Sequence, residues 1–302
     1  MLICNGKVNF DHFCYRYFSA CMFQNASFVF INTKSCSKIW LCLRNQTLRN
    51  HRKMRLVRKD YSTEVVRRHK AELQAQQLDE QNLLNPNVYP GLTGRKLWRM
   101  VRDIQVIPHL WDLKHQMYDE QGGICCYCGL RIFEDSEGRK QSVEHVVPKG
   151  AHRELVGEYK NLLLTCSITD DDANLMGVAT NNPTLRHCDD SKADKPLHYT
   201  PLMPECETVF QYDVVGGVQA TDSQVQSDIE TLRLDCDLLK ERRKAALSIL
   251  FDEDGNFISS EELRKISTNI MSRDEDNRLP EFCFVIKSVA DSVLSENTIA
   301  II

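Results

Sequence analysis

Four cysteines in the middle of the chain have side chains and spacing suited to binding a metal ion. Cys125 and Cys128 stand in the segment ICCYCG, and a gap of two residues lets one turn present two thiolates to a tetrahedral ion. Cys166 and Cys188 follow and would complete a site of four sulfurs. We therefore predict a structural zinc, of the kind that contributes roughly 10–16 kcal/mol of apparent binding free energy in zinc-finger peptides.

Other assignments of these ligands stay open from the sequence. Cys126 could replace Cys125, although the two-residue gap favours Cys125, and His187 could replace Cys188. A C-x-x-C pair can also be a buried or redox-active pair without metal. The two later cysteines favour zinc over that reading.

A carboxylate and an imidazole are adjacent at Glu144 and His145, in the segment SVEHVVPKG. The pattern predicts a strand that ends near this pair, before a loop at Pro148. Within a strand the two side chains would diverge, unless the strand ends there. A carboxylate binds a hard cation such as Mg²⁺, and an imidazole that titrates near neutral pH can deprotonate water. The pair fits metal-assisted hydrolysis, although a Glu-His dipeptide alone usually has no catalytic role.

The motifs together resemble those of a known family. The order C-x-x-C, (D/E)-H-x-x-P, N-L and C-(N/D)-x-x-K is similar to that of zinc-bearing HNH endonucleases. The segments EHVVPKG, YKNLLLTC, HCDDSKADKP and IETLRLDCDLLKERRKAAL look like one branch, the PtuB-like nuclease subunit of Septu-type and retron-associated anti-phage systems. The resemblance is strong over residues 122–197, extends weakly to about 295, and does not bear on 1–53.

The resemblance implies a role for each matching residue. His145 matches the general base, and Glu144 matches an acidic ligand of a catalytic divalent ion, Mg²⁺ or Mn²⁺. Asn161 matches the central Asn, which orients the loop that carries the base. Asp189 matches the residue that completes the metal site, and Lys192 matches a lysine that could contact phosphate.

Basic residues lie in and around these motifs in the sequence, and Lys149 is a second candidate for a nucleic-acid contact. The full set comprises Lys140, Lys149, Arg153, Arg186 and Lys195. Farther along, Arg242, Arg243 and Lys244 are either another contact or a solvated helix face.

Two positions depart from the family pattern. Position 189 is Asp where the common pattern has Asn, and two carboxylates on one ion suit a hard cation. Compact members have a gap of about three between the last two cysteines, whereas here Cys166 and Cys188 are 22 positions apart. The insert contains three consecutive Asp at 170–172 and could be a lid, a docking loop or a solvated excursion. We favour the last two.

The resemblance implies an α+β, mainly helical fold: a small zinc-stabilised ββα-metal core, similar to a treble clef, flanked by helices. We divide the chain into an over-extended or disordered N-terminus (1–53, with Met54 as a candidate start), a helical region (54–121), the HNH core (122–200) and a C-terminal strand pair with helices that packs or meets a partner (201–302).

Hydrophobic patterning predicts the elements around the core. We expect one helix around 61–82, a linker-like loop at 85–94, and one or two helices over 96–117 with a break at Pro108. Beyond the core we expect a strand at 208–214, a Gly216–Gly217 turn with a return strand from Val218, and helices over 227–250, 260–271 and 279–295. We expect Trp98 and Trp111 in the core.

Charge bears on how nucleic acid would be held. The chain has 38 Lys and Arg against 42 Asp and Glu, for a net charge of −4. Residues 1–53 carry eight of these bases and one acid, so 54–302 carries 30 bases and 41 acids, a net charge of −11. Because affinity for DNA comes largely from neutralising phosphates, either a local basic groove lies on an acidic body or a partner supplies the grip. We favour the partner.

These observations predict a metal-dependent HNH endonuclease that hydrolyses phosphodiester bonds of nucleic acid, with DNA favoured, as the effector of an anti-phage system. The resemblance implies an ATPase partner subunit (PtuA-like) that gates it. The 13 cysteines lack a secretory context, and no run of about 20 apolar residues exists, so we expect a reducing cytoplasmic location and no membrane. The alternative is a non-catalytic zinc-bearing module that binds nucleic acid or protein.

Overall fold

The computed structural model describes residues 54–104, 109–132, 141–220 and 222–299. The predictions for residues 1–53 and for the break at Pro108 lie outside these residues. Within them the predicted α+β class is confirmed: the chain is about half helical and has two small two-stranded sheets. No helix in this part of the chain is both long and apolar enough to cross a bilayer.

The α-helices are α1 (Glu64–Ala75), α2 (Glu80–Leu83), α3 (Gly94–Arg102), α4 (His109–Gln121), α5 (Asp170–Met176), α6 (Asp189–Lys192), α7 (Cys206–Val209), α8 (Ser223–Leu232), α9 (Asp237–Leu247), α10 (Ser260–Asn269) and α11 (Cys283–Ile299). The strands are β1 (Gln141–His145), β2 (Leu162–Cys166), β3 (Gln211–Tyr212) and β4 (Val218–Gln219). Short 3-10 turns lie at Arg153–Leu155, Tyr159–Asn161, Pro183–Leu185 and Ser248–Leu250.

The single helix expected around 61–82 is wrong, because the chain breaks between α1 and α2. Thr63 caps α1 by accepting a hydrogen bond from Val66 N, and the helix ends where Gln77 takes a positive φ of 55°. Asp79 then caps α2 through its carboxylate. A polar residue that caps a new helix competes with continuation of the old one, which hydrophobic spacing does not reveal.

The loop expected at 85–94 is present, but it is packed and does not act as a free linker, and Gly94 already belongs to α3. Val88, Tyr89 and Leu92 pack on a small core that includes Leu97. The Arg153 guanidinium donates to the carbonyls of Val88 and Tyr89 at 2.8 and 3.3 Å. The loop therefore ties the helical region to the segment that follows β1.

The β1–β2 hairpin is the element that positions the candidate site. The strands are antiparallel, with His145 opposite Leu162 and Gln141 opposite Cys166. Buried Gln121, at the end of α4, donates to the carbonyls of Ile124 and Leu164 at 2.9 and 2.8 Å and accepts from Leu164 N at 2.7 Å. This amide joins α4, the first cysteine turn and β2.

The C-terminal region differs from the prediction in two places. The strand expected at 208–214 is limited to Gln211–Tyr212, because residues 206–209 form the short helix α7. The Gly216–Gly217 turn and the return strand from Val218 are present, with the Asp213 carboxylate accepting from Gly217 N at 2.7 Å. The helix expected over 227–250 is two helices, because Arg233 has a φ of 49° and ends α8. The last two helices match α10 and α11.

One hydrophobic cluster draws residues from every predicted region of the described chain, among them Met54, Leu113, Tyr127, Leu163 and Phe284. Residues 54–299 lie within one compact unit. The predicted regions 54–121, 122–200 and 201–302 therefore share a core. Of the two tryptophans expected there, Trp98 is half-buried, whereas Trp111 is 43% exposed.

Candidate functional site

The first two cysteines lie in a tight turn that follows α4. Cys125 N donates to Leu130 O at 2.8 Å, and Gly129 N donates to Cys125 O at 3.2 Å. Leu130 N also points at Cys128 Sγ, 3.5 Å away. Gly129 has a φ of 85°, and a Cβ there would lie 2.7 Å from the ring of Phe284. This position therefore requires glycine in order to close the turn.

Four thiols meet behind this turn: those of Cys125, Cys128, Cys166 and Cys188, all buried. Sγ–Sγ distances are 3.8 Å for Cys125–Cys188, 3.6 Å for Cys128–Cys166 and 4.0 Å for Cys166–Cys188. Sulfurs bound to zinc at 2.3 Å in a tetrahedron are separated by about 3.8 Å. The four cysteines therefore fit an ion such as zinc.

The two open ligand alternatives are resolved by position. Cys126 is buried outside the group of four, and burial raises the pKa of its thiol well above the ordinary value. His187 also lies outside the group, but its Nε2 is 3.3 Å from Cys166 Sγ and its Nδ1 is 2.7 Å from Leu185 O. Burial lowers the pKa of His187, yet hydrogen bonding and charge from the cysteine sulfurs raise it overall. His187 thus supports a ligand and leaves the metal position to Cys188.

Cys188 has a strained backbone, with a φ of 53° and a ψ of −130°. A non-glycine residue in this region costs on the order of 1–3 kcal/mol. Its N–H donates to Leu232 O at 2.8 Å, and its carbonyl accepts from Lys192 N at 2.9 Å. The strained residue therefore aims its sulfur into the cluster and starts α6, which carries Asp189 and Lys192.

His145 is the last residue of β1 and is 2% exposed. Its Nε2 lies 3.0 Å from Val156 O, an acceptor, so Nε2 carries the proton and Nδ1 keeps its lone pair. Lys149 Nζ lies 3.5 Å from Nδ1. Burial, and then the charge of Lys149, lower the pKa of His145 to about 4. The imidazole is thus neutral at pH 7 and can accept a proton.

Glu144 lies beside two other charged groups on α6. Its Oε1 is 2.7 Å from Lys192 Nζ and accepts from Tyr127 Oη at 2.8 Å. Burial and the neighbouring Asp189 carboxyl raise the pKa of Glu144 to about 8, against the opposing effect of Lys192. Ser142 Oγ donates to Asp189 Oδ2 at 3.1 Å. Glu144 is buried and Asp189 is half-buried, and two neighbouring carboxyls of this kind form a suitable pair for a hard divalent cation.

Lys192 does not lie where a phosphate contact requires it. The side chain is 1% exposed, and Nζ donates to His145 O at 3.0 Å in addition to its ion pair with Glu144. The family resemblance implied a lysine that could contact phosphate, but the C-x-x-x-K spacing on one helical turn directs this side chain back over the hairpin. Lys192 therefore holds the Glu144–His145 pair in place.

Asn161 is buried and joins the two ends of the loop that leaves β1. Its Oδ1 accepts from Val147 N at 2.7 Å, and its Nδ2 donates to Val147 O at 3.0 Å and Leu155 O at 3.2 Å. The Asn161 carbonyl also accepts from Val146 N at 3.0 Å. Asn161 thus orients the segment that includes Val156, the partner of His145.

The remaining basic residues vary in accessibility. Lys149 is half-buried beside His145, Arg153 is engaged with backbone carbonyls, and Arg186 and Lys195 are exposed; Lys140 lies outside the described residues. Farther away, Arg243 is 1% exposed and donates to Gly216 O and Leu234 O. Arg242 pairs with buried Asp172 at 2.7 Å. Of the three basic residues considered on α9, Arg243 is therefore internal, Arg242 is half-buried and ion-paired, and Lys244 alone is exposed.

The insert is docked on the same chain. Thr169 and Asp172 form a capping box at the start of α5, and the Asp172–Arg242 ion pair holds this helix to α9. Asp170 and Asp171 are exposed. The insert also borders a cleft of about 430 Å³ lined by Ser167, Ile168, Thr180, Asn181, Asn182, Arg186 and Asp190.

Sequence reasoning missed two neighbours of the site. Tyr127, between the first two cysteines, donates to Glu144, and its position inside the C-x-x-C turn was the available signal. Trp98, in α3, contacts His145 edge-on with ring centroids 4.7 Å apart. The sequence offered no sign of that contact, because 47 positions separate the two residues.

The comparisons with known proteins identify no family. No protein-family model matches the chain, and no curated protein is significantly similar to it in sequence.

Proposed function

We propose that this protein is a metal-dependent endonuclease of the HNH type that hydrolyses phosphodiester bonds, with DNA as the favoured substrate. The observation that carries the proposal is the arrangement around His145: a neutral imidazole whose Nδ1 keeps its lone pair beside Lys149, next to two carboxyls, on a hairpin joined to a helix by four cysteines. Metal-dependent hydrolysis of a phosphodiester uses a general base to activate water and carboxylates to hold the cation.

Each side chain has one task in this proposal. His145 takes a proton from water at Nδ1, and the Val156 carbonyl fixes its tautomer and ring orientation. Glu144 and Asp189 would hold a divalent cation, which when bound stabilises negative charge on the phosphate. Lys192 and Tyr127 hold Glu144, and Asn161 holds the loop beyond β1. Lys149 lies beside Nδ1, where it can contact a phosphate oxygen.

The four cysteines have a structural task. The ion would tie the first turn, β2 and the start of α6 together, and all four ligand positions are filled by the chain. A site closed in this way leaves no position for substrate, which is typical of structural zinc. Chemistry is therefore assigned to the second centre alone.

Cleavage of supercoiled plasmid by the full chain tests the proposal. We expect cutting that requires Mg²⁺ or Mn²⁺, and a loss of about 10²–10⁴-fold in rate for His145→Ala, because that variant lacks the general base. The matched control is His152→Ala, on the same loop but exposed and paired with Glu154, which should cut at the wild-type rate. Equal cutting by wild type and His145→Ala would refute the assigned base.

A non-catalytic binding module would bind DNA without cutting it under any divalent ion. Gating by an ATPase subunit, with an antiviral role, is part of the proposal that rests on the sequence resemblance. An assay in which a neighbouring ATPase gene product is added would separate a silent nuclease from a binding module: metal-dependent cutting that appears only with the ATPase supports gating.

A further inference from the structure

Helix α3 is basic on its exposed side. Its sequence, GRKLWRMVR, contains no acidic residue. Leu97 and Val101 are buried, whereas the cations are exposed. These cations are Arg95, Lys96, Arg99 and Arg102. A helix with one apolar stripe and only positive charge on its outer side is suited to a polyanionic partner.

Three of the arginines form a stripe along the helix axis. Arg95, Arg99 and Arg102 are spaced four and three residues apart, which places them on one face, whereas Lys96 lies about 100° around the helix. The stripe spans about 10 Å at 1.5 Å per residue. At about 3.4 Å of axis per phosphate along one DNA strand, this length matches roughly three phosphates.

Two of the three charges of the stripe, those of Arg95 and Arg99, have no ion-pair partner among the described residues. Among the described residues, no carboxylate lies within ion-pair distance of Arg95 or Arg99, and Arg102 pairs only with its exposed neighbour Asp103 at 3.1 Å. This contrasts with Lys192 and Arg242, whose charges are matched by buried carboxylates. Free charge adds to phosphate affinity, whereas an ion-paired guanidinium first has to lose its partner.

The stripe lies next to the candidate catalytic centre. Trp98, one helical turn from Arg95 and Arg102, contacts His145 edge-on at 4.7 Å between ring centroids. Gly94, the first residue of α3, packs so closely on the loop after β1 that a Cβ would lie 1.8 Å from Lys149 O. A strand of nucleic acid lying along α3 would thus run directly towards Lys149 and His145.

We propose that the α3 stripe, Arg95, Arg99 and Arg102, is a docking surface for the phosphate backbone of duplex DNA and leads it to His145. The inference rests on the proposed nuclease function, and it adds where the substrate is held. It provides the local basic surface that an otherwise acidic body of net charge −11 needs. The grip on DNA then belongs to this chain, whether or not a second subunit contributes.

The test is salt-dependent binding of a 25-base-pair DNA duplex by the full chain carrying His145→Ala, which prevents cutting. Arg95→Gln/Arg99→Gln is added to this background and compared with Arg264→Gln/Lys265→Gln, which removes two exposed charges from α10. We expect the α3 pair to weaken binding at least about tenfold and to reduce the slope of log Kd against log salt by about two. The α10 pair should bind like its parent.

Equal effects of the two pairs, or none from the α3 pair, would overturn the inference. An RNA duplex of the same sequence that competes as well as the DNA would overturn its restriction to DNA. Failure of the two proposals looks different. If Arg95→Gln/Arg99→Gln leaves the rate of DNA cleavage unchanged, the docking surface is wrong and the nuclease proposal is retained. If DNA binding depends on the α3 stripe but no divalent ion gives cleavage, the nuclease proposal is wrong and the docking surface is retained.

Discussion

The group of four cysteines and the centre around Glu144 and His145 are linked through Tyr127, which lies in the first cysteine turn and donates to Glu144. The two centres nevertheless differ in how their polar atoms are satisfied. The four cysteines face only one another and supporting donors, at separations that match one ion. At His145 the two ring nitrogens differ: Nε2 donates to the Val156 carbonyl at 3.0 Å, whereas Nδ1 keeps its lone pair and has a longer contact of 3.5 Å with Lys149 Nζ. The four cysteines fill every ligand position of a tetrahedral ion, whereas His145 keeps a nitrogen lone pair that can accept a proton.

The difference shows how a small core divides its tasks. An ion bound by four cysteines would contribute its binding free energy to folding, and this can offset the strained backbone of Cys188. The centre around Glu144 and His145 depends on the four cysteines, because Tyr127 and Lys192 contact Glu144 from two elements that the cysteines hold in place. Loss of a cysteine ligand should therefore disturb both centres, whereas a change beside Glu144 should leave the four cysteines intact.

Loss of one cysteine of the four should unfold the core. We expect Cys166→Ser to lose the zinc and cooperative thermal unfolding, because three ligands cannot close the site. Metal content and circular dichroism during heating measure both. Cys126→Ser is the matched control, since Cys126 is equally buried and lies outside the group. It should keep the zinc, and a zinc-loaded, cooperatively folded Cys166→Ser would contradict a structural role.

Removing the hydroxyl of Tyr127 should weaken the second centre without opening the first. Tyr127→Phe deletes the donor to Glu144, and loss of a partner that orients a metal ligand typically costs about 10–100-fold in metal affinity. We expect the divalent ion needed for half-maximal cleavage to rise by that amount, with zinc content unchanged. Tyr89→Phe, which loses a hydrogen bond to Gln76 O far from the site, should show no such rise.

The smallest effect concerns the pH dependence of cleavage. The pKa of Glu144 is raised to about 8, so cleavage is measured with the divalent ion at saturation, which keeps this carboxyl deprotonated. Because the pKa of His145 is lowered to about 4, the imidazole then stays neutral, and the acid limb should lie well below the ordinary histidine value of about 6.5. Lys149→Met removes one cause of this lowering, so the pKa rises and cutting should be lost at a higher pH. Burial remains as the larger cause, which limits the shift to about one pH unit or less.

The control for this experiment is Lys195→Met, an exposed lysine, which should leave the acid limb in place. An acid limb near 6.5 in the wild type would show that His145 is not held in the environment described.

The sequence predicted the parts that depend on short spacing. The C-x-x-C turn, the strand that ends at His145 and the last two helices follow from local pattern, and the four cysteines meet as expected. Helix breaks at Gln77 and Arg233 were missed because a positive φ at a polar residue leaves no mark in hydrophobic spacing. The position of Lys192 was misjudged and the contact of Trp98 with His145 was missed, because both depend on elements distant in the chain.

The two cysteines that flank the insert have a consequence for what can be built there. Their sulfurs are 4.0 Å apart, so the ends of the segment between Cys166 and Cys188 are pinned whatever its length. Doubling the length of a flexible loop costs only about 0.6 kcal/mol in closure entropy. Its exposed tip near Gly177 is thus a suitable place to graft a fluorescent reporter or an affinity tag without moving either centre.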